Sequence, residues 1–437
     1  MKQKIKSLKS NKEFMKYLSN TSYLFFDKIF RMGIGFFVII YLTRYLGPER
    51  FGLLSYAQSF VSIFVAFASL GLSQIIVREI VNNKEKIDEI LGTVTVMMFV
   101  SSMISMSSIF AISFFIYDDY ESKLLVNIIS MTIIFQAFYI IIESFFQAKV
   151  LSKYIVYSSN VSFVISSSIK ILLIYFEMPL IYFAYALVFD SFILALACFF
   201  IYQYQNTSIF TWKFEKELAK KYIKASIPLV LVSITAFIYT RIDQIMLKHI
   251  LGDEAVGNYA AAVRVSELFY FIPGIIAASV YPKLIEAKAQ NEKKYLNLLE
   301  NLYRLVLWIS ILVALIMSFG SNIIVDILYG EQFKDAAKIL RILSWCMIFA
   351  SLSAVFVKIL YIEHWENKYM YKNFFGVFLN TVLNYLLINI YGVTGAALAT
   401  FITLFSVNYI FDLFDKSLRQ YYYIKIYCWL PKKKVLL

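Results

Sequence analysis

The sequence predicts an all-α integral membrane protein with about 12 transmembrane helices in two parallel six-helix lobes. Three observations favour this class. Of the 437 residues, 60% are hydrophobic and 16% are charged, whereas soluble domains are typically ~45–50% apolar and ~25% charged. Apolar runs of ~20 residues, long enough to cross ~30 Å of hydrocarbon as a helix, recur along the chain. The lysines and arginines between these runs are unevenly distributed, as they are across a membrane.

The apolar windows, read in order, give six spans in each half of the chain. The first six are 22–46, 51–76, 90–116, 124–147, 154–176 and 180–204. The second six are 226–250, 256–281, 303–328, 337–362, 370–391 and 394–414. We therefore predict an N-terminal lobe, a cytoplasmic amphipathic linker, a C-terminal lobe and a basic cytoplasmic tail, at 1–204, 205–225, 226–414 and 415–437.

The basic residues predict the sidedness of the spans. If the basic N-terminus is cytoplasmic, 29 lysines and arginines fall in cytoplasmic segments and six in the opposite loops. This ratio follows the positive-inside rule and predicts that both termini are cytoplasmic. The net charge of +13 therefore reflects the orientation in a membrane, and nucleic acid is not expected as a partner.

A short internal repeat supports the division into two halves. Leu46–Gly52 reads LGPERFG and Leu251–Gly257 reads LGDEAVG, with Ala57 and Ala262 beyond them. Leu, Gly, Glu, Gly and Ala coincide at a constant offset of 205 residues. Each copy is expected to join the first and second helices of its half, where glycine supplies the tight turn. The alternative is two similar helix–helix turns of independent origin.

Ionisable residues occur inside the first, seventh and eighth predicted spans. Such residues are costly in hydrocarbon, so they should face the protein interior or a water-filled cavity. The set comprises Asp27, Lys28, Arg31, Arg241, Asp243, Arg264 and Glu267. These spans stand at the start of the two halves, so we predict that the charges line a central cavity. The alternative is that Asp27 with Arg31, and Arg264 with Glu267, are intrahelical ion pairs that lower the cost of burial.

Other ionisable residues within spans are open to two interpretations. They could line the same cavity, or they could snorkel or bond to neighbouring helices. These residues are Glu143, Lys170, Asp190 and Lys358.

The sequence contains no pattern typical of an enzyme site. It has no GxSxG elbow, no phosphate-binding GxxxxGK[ST] loop and no paired-aspartate motif of the nucleotide-sugar type. Its three cysteines form no CxxC pair, so neither a disulfide framework nor a metal site is indicated. We therefore predict a protein that is not an enzyme and that uses no cofactor or metal.

Several motifs, taken in order and on the six-plus-six layout, resemble a known family. They are Arg44–Gly52; Ser69–Leu72 with Arg78 and Glu79; Arg241–Leu247 running into Leu251, Gly252 and Gly257–Tyr259; and Tyr391–Ala397. The chain resembles the polysaccharide-transporter family, the Wzx-type repeat-unit flippases of the multidrug/oligosaccharidyl-lipid/polysaccharide exporter (MOP) superfamily. The resemblance covers nearly the whole chain.

The resemblance implies a V-shaped, MATE-like cleft between two lobes that opens alternately to each side of a bacterial inner membrane. It implies transport of an undecaprenyl-diphosphate-linked oligosaccharide for O-antigen or capsule synthesis, with a polysaccharide polymerase machinery as a partner. It also implies a cationic lumen. On this view Arg31, Arg241, Arg264 and Lys28 bind the substrate. The residues expected to balance charge or couple an ion are Asp27, Asp243 and Glu267.

Two other functions remain open at this stage. The first is an ion-coupled, MATE-like exporter of small molecules on the same fold, and the second is a membrane polysaccharide polymerase or ligase. A drug exporter would favour acidic residues in its cavity, whereas the residues within spans here have a slight basic excess. An enzyme would be expected to carry a large outer loop, and the predicted outer loops are short.

Overall fold

The computed structural model describes residues 12–116, 119–205, 208–363 and 365–430, with side chains from residue 30 onward except those of Ala236 and Glu366. The described residues contain helices and no strands, which confirms the predicted all-α class. Helices of the first half are α1 (Lys12–Ala68), α2 (Ser73–Asn82), α3 (Ile87–Ile116), α4 (Tyr120–Ser130), α5 (Thr132–Ala148), α6 (Lys153–Tyr175) and α7 (Leu180–Tyr204).

The second half follows a short 3₁₀ turn at Ile209–Thr211. Its helices are α8 (Lys216–Leu251), α9 (Asp253–Glu267), α10 (Phe271–Gln290), α11 (Glu292–Tyr329), α12 (Lys334–Glu363), α13 (Glu366–Tyr391), α14 (Val393–Phe405), α15 (Phe411–Phe414) and α16 (Arg419–Tyr427). A second 3₁₀ turn, Glu331–Phe333, precedes α12, and a π-helical turn, Ser406–Ile410, separates α14 from α15.

The described chain has 10 helices long and apolar enough to cross a membrane, or up to 11 if the bent pair Lys216–Thr235 and Phe237–Leu251 is one span. The first of them, Phe30–Asn82, is 53 residues long. At 1.5 Å per residue it would measure roughly 80 Å, far more than the ~30 Å of hydrocarbon. Its helix is interrupted at Gly47, so it covers two of the twelve predicted spans.

Large apolar side chains on the helix surfaces fit a chain immersed in lipid. Phe115 and Phe319 are each 85% exposed. Water would penalise such exposure, whereas lipid tails do not. The surface pattern therefore supports the membrane class independently of helix length.

The described chain forms two compact units, each with its own core. Within the described residues, unit 1 comprises 12–46 and 57–237, and unit 2 comprises 47–56 and 238–430. Buried residues such as Phe146 and Tyr202 form the core of unit 1. Leu352, Phe356 and their neighbours form that of unit 2. The predicted lobe, linker and tail boundaries stay a prediction.

The two copies of the sequence repeat make the same backbone turn. Gly47 has φ 70° and ψ 173°, and Gly252 has φ 89° and ψ −173°. Residues with a side chain rarely adopt this conformation. Pro48 and Asp253 follow directly and begin helical segments, and proline is well suited to a first helical position. The two turns are 205 residues apart, so the structure supports the repeat.

The segment that joins α7 to α8 lies against α3 of unit 1. The Lys213 amide donates to the Asp88 carbonyl at 3.1 Å, and the Glu215 amide donates to Thr93 Oγ1 at 2.9 Å. A Cβ at Gly92 would lie 2.5 Å from the Lys213 backbone nitrogen and oxygen. Glycine at position 92 therefore permits the close approach of this segment.

Helix α16 is held in unit 2 by the buried, charged side chain of Lys425. Lys425 is fully buried, and its Nζ lies 2.6 Å from Asp412 Oδ2. Lys372 Nζ lies 2.7 Å from the other oxygen, Asp412 Oδ1. Lys425 also donates to the carbonyl of Asn408 at 3.1 Å, within the π-helical turn. Two lysines thus share one carboxylate inside the protein.

Candidate functional site

Asp243 on α8 is the most enclosed of the described residues in the predicted site, with 5% of its surface exposed. Three uncharged groups donate hydrogen bonds to its carboxylate. The Tyr259 hydroxyl reaches Oδ2 at 2.5 Å, the Thr400 hydroxyl reaches Oδ2 at 2.9 Å, and Asn384 Nδ2 reaches Oδ1 at 2.7 Å. These donors lie on α9, α14 and α13, so three further helices converge on one carboxylate.

The side chains around Asp243 supply mainly oxygen atoms. Asn384 Nδ2 also reaches Asn380 Oδ1 at 3.0 Å, and the Tyr259 and Thr400 hydroxyl oxygens are 3.2 Å apart. Asn384 Oδ1 is buried and has no hydrogen-bond partner among the described residues. Such an orphan acceptor is costly. Carboxylate, amide and hydroxyl oxygens suit a hard cation, and the carboxylate alone could take up a proton.

Arg241 lies two residues before Asp243, and it is paired with another helix. Its Nη1 is 3.9 Å from Glu267 Oε1 on α9, with the two side chains 28% and 38% exposed. Arg264 is half-buried and interacts electrostatically with both Arg241 and Glu267. No carboxylate lies within 4.0 Å of Arg264 among the described residues. Glu267 thus approaches Arg241, which also interacts electrostatically with Asp243.

In unit 1, Arg31 on α1 interacts electrostatically with Glu143 on α5. Glu143 accepts a hydrogen bond from the Tyr139 hydroxyl at 3.0 Å. The side chains of Asp27 and Lys28 lie outside the described residues, so the predicted Asp27–Arg31 pair stays a prediction. A carboxylate from another helix is thus available to Arg31.

Two of the other charged residues in the spans also interact with each other. Lys170 Nζ on α6 lies 3.7 Å from Asp190 Oδ2 on α7. This geometry matches the interpretation that such residues bond to neighbouring helices. A pairing of this kind lowers the cost of both charges in the membrane.

Sequence reasoning missed the neutral residues that surround Asp243. Asn380 and Asn384 are four apart and share one face of an otherwise apolar helix, a signal that could have been read. Tyr259 stands in a motif noted for the family resemblance, and its hydrogen bond to Asp243 is seen only in the fold. In the same motif Asn258 Oδ1 accepts a hydrogen bond from the Ala336 amide at 3.1 Å, near the start of α12.

A multi-pass helical chain that holds ionisable groups inside its spans has the architecture of a membrane transporter. A family described as "Polysaccharide biosynthesis protein" matches residues 17–288. The chain belongs to this family, and with it to the MOP superfamily of exporters. A second family, described as MatE, matches residues 228–386.

Relatives with curated descriptions include transporters of glycan synthesis. The chain is 27% identical to the "Probable low-salt glycan biosynthesis flippase Agl15" of Haloferax volcanii. The 183 aligned residues are 41% of this chain and 38% of that protein. The chain is also 20% identical to the "Putative O-antigen transporter" of Escherichia coli K12. Here the 371 aligned residues are 83% of this chain and 88% of that protein. The first match therefore spans about two fifths of that relative's length.

Solved structures share the fold. An inward-facing multidrug-resistance MATE transporter of the MOP superfamily has a TM-score of 0.69 at 15% identity, covering 89% of this chain and 95% of that one. The lipid II flippase MurJ in an inward closed conformation has a TM-score of 0.68 at 17% identity, covering 94% and 91%. At these identities the similarity concerns the fold alone.

Proposed function

We propose that this protein flips an undecaprenyl-diphosphate-linked oligosaccharide repeat unit from the cytoplasmic to the outer leaflet by alternating access. The observation that carries the proposal is the pair Arg241 and Arg264 on consecutive helices, where Glu267 is the one described carboxylate within 4.0 Å of either arginine. Arginines inside a membrane need a compensating charge. A diphosphate would supply it, since guanidinium groups bind phosphate oxygens in a bidentate manner.

Such a cargo needs a polar path. Desolvating an isolated ion costs on the order of tens of kcal/mol in the Born limit, so a diphosphate and its sugars do not cross hydrocarbon unaided. A hydrated cationic path lowers this barrier while the polyprenyl tail stays in lipid. Arg31 and Lys28 are proposed as further phosphate-binding cations.

Asp243 and its neighbours are proposed as the ion-coupling site. The carboxylate could take up a proton, or it could bind a monovalent cation together with neighbouring hydroxyl oxygens. Coupling is permitted but not required thermodynamically. Moving about two negative charges out of a negative cytoplasm is downhill by ~2.3 kcal/mol per charge per 100 mV.

The proposed location is the bacterial inner membrane with both termini cytoplasmic. This orientation rests on the count of 29 basic residues against six. The oligosaccharide would leave at the outer leaflet, where a polysaccharide polymerase machinery is the proposed consumer.

A second candidate is an ion-coupled exporter of small molecules. The match of residues 228–386 to the MatE family favours it. The slight basic excess among the ionisable residues of the spans disfavours it, because a cavity for cationic drugs would be expected to carry negative charge.

Deletion of the gene separates the two candidates. A flippase predicts that lipid-linked repeat units accumulate on the cytoplasmic side and that surface polysaccharide disappears, while synthesis of the units continues. An exporter predicts drug sensitivity with normal surface glycan.

A further inference from the structure

We infer that Glu267 is an internal competitor of the transported diphosphate: its carboxylate occupies Arg241 in the empty site and is displaced when substrate phosphate binds. The inference rests on the proposed function and deepens it. It assigns to one residue the control of substrate affinity and release.

The first step is that Asp243, which also interacts electrostatically with Arg241, is held in place by other donors. Its two carboxylate oxygens already accept three hydrogen bonds, from Tyr259, Thr400 and Asn384. These donors hold it inside unit 2. Among the described residues, Glu267 is the one carboxylate within 4.0 Å of Arg241.

The second step is that the contact between Arg241 and Glu267 is loose. At 3.9 Å the two atoms are beyond hydrogen-bonding distance. Both side chains are partly exposed, at 28% and 38%, so a ligand has access to them. Ion pairs of this kind are weak because each charge remains partly solvated. The guanidinium consequently keeps donors that a stronger acceptor could take.

The third step is that a diphosphate is a stronger acceptor for the guanidinium than the carboxylate of Glu267. It carries more negative charge than a carboxylate and offers several oxygens to the planar guanidinium. Arg264 interacts electrostatically with Arg241 and Glu267 alike, so an anion that binds both arginines would also repel Glu267. When the ligand leaves, the carboxylate can return to Arg241, which favours release.

The variant Glu267→Gln tests the inference because it removes the charge and keeps the shape. Full-length protein in detergent is titrated with farnesyl diphosphate at fixed ionic strength. We expect Glu267→Gln to lower the dissociation constant about three- to fivefold, the size that a weak ion pair allows. We also expect a lower KM for lipid-linked substrate with no gain in kcat, a split that a merely structural role would not produce.

Glu254→Gln is the matched control. Glu254 lies on the same helix, is exposed, and makes no ion pair among the described residues. It should leave the dissociation constant unchanged. Equal effects of both variants, or an unchanged constant in Glu267→Gln, would overturn the inference.

Arg241→Ala separates failure of the inference from failure of the proposed function. If Arg241→Ala weakens binding while Glu267→Gln has no effect, the diphosphate site stands and the competitor role is wrong. If neither wild type nor any variant binds the diphosphate, the proposed function itself is contradicted.

Discussion

Gly52 and Gly257 each lie directly against the backbone of the other copy of the repeat. A Cβ at Gly52 would lie 1.9 Å from the Asp253 carbonyl oxygen, and a Cβ at Gly257 would lie 1.9 Å from the Pro48 carbonyl oxygen. The contact is reciprocal under the same offset of 205 residues, since 48 and 52 correspond to 253 and 257. Both contacts lie within unit 2. The two copies of the repeat thus pack against each other through the glycines at matching positions.

We expect Gly52→Ala and Gly257→Ala to destabilise the protein markedly. A methyl group cannot fit at 1.9 Å from a carbonyl oxygen, so the backbone must shift, at a cost of about 1–3 kcal/mol or more. Thermal unfolding of full-length protein in detergent should show a lower Tm for each variant. Gly274→Ala is the control, because no atom lies within 4 Å of its added Cβ. Equal Tm values for all three variants would contradict the close contact.

Gly92→Ala should detach the segment that precedes α8 from α3. The added Cβ would meet the Lys213 backbone at 2.5 Å, and the Glu215–Thr93 hydrogen bond would be strained. Limited proteolysis should then cleave residues 208–216 faster than in wild type. Gly33→Ala, with open space around its Cβ, should leave the cleavage rate unchanged. A wild-type rate in Gly92→Ala would show that the segment does not depend on this contact.

Asp412→Asn should be strongly destabilising. It leaves Lys372 and Lys425 buried without a carboxylate, and breaking a buried ion pair typically costs about 3–5 kcal/mol. The exposed pair of Asp335 and Lys338 provides the control, since Asp335→Asn should cost less than about 1 kcal/mol. The comparison is made by denaturant or thermal unfolding. Similar losses of unfolding free energy in both variants would mean that the buried cluster stabilises the protein no more than the exposed pair does.

Asp243→Asn should preserve folding and impair transport. The amide is close in shape to the carboxylate, and its oxygen can still accept the hydrogen bonds of Tyr259 and Thr400, while the bond from Asn384 is lost. The neutral amide cannot take up a proton or attract a cation as the carboxylate does. Complementation of surface polysaccharide, at matched membrane abundance, should fall at least about tenfold. Asp326→Asn removes the same charge at an exposed position, and it should complement fully. Full complementation by Asp243→Asn would remove the proposed ion-coupling role.

The sequence was sufficient for features that depend on pattern along the chain. The all-α class, the apolar spans and the glycine repeat were predicted because hydropathy and glycine turns are local properties. The partners of the charged residues were not predictable in the same way. Arg264 and Glu267 share a helical face, yet Glu267 approaches Arg241 on α8, and the sequence pattern does not contain this contact between helices. Asn380 was missed for a related reason, since a neutral amide gains significance only beside a carboxylate from another helix.

The central claim is that arginines within the membrane domain carry a diphosphate-linked oligosaccharide across the bilayer. The most direct measurement reconstitutes full-length protein in liposomes with a fluorescent undecaprenyl-diphosphate-linked oligosaccharide and follows how fast the sugar becomes accessible to an external glycosidase. The account predicts rapid exposure with wild type, partial loss in Arg241→Lys and Arg264→Lys, and severe loss in the alanine variants. Wild-type rates in Arg241→Ala and Arg264→Ala, or no exposure above protein-free liposomes with wild type, would contradict it.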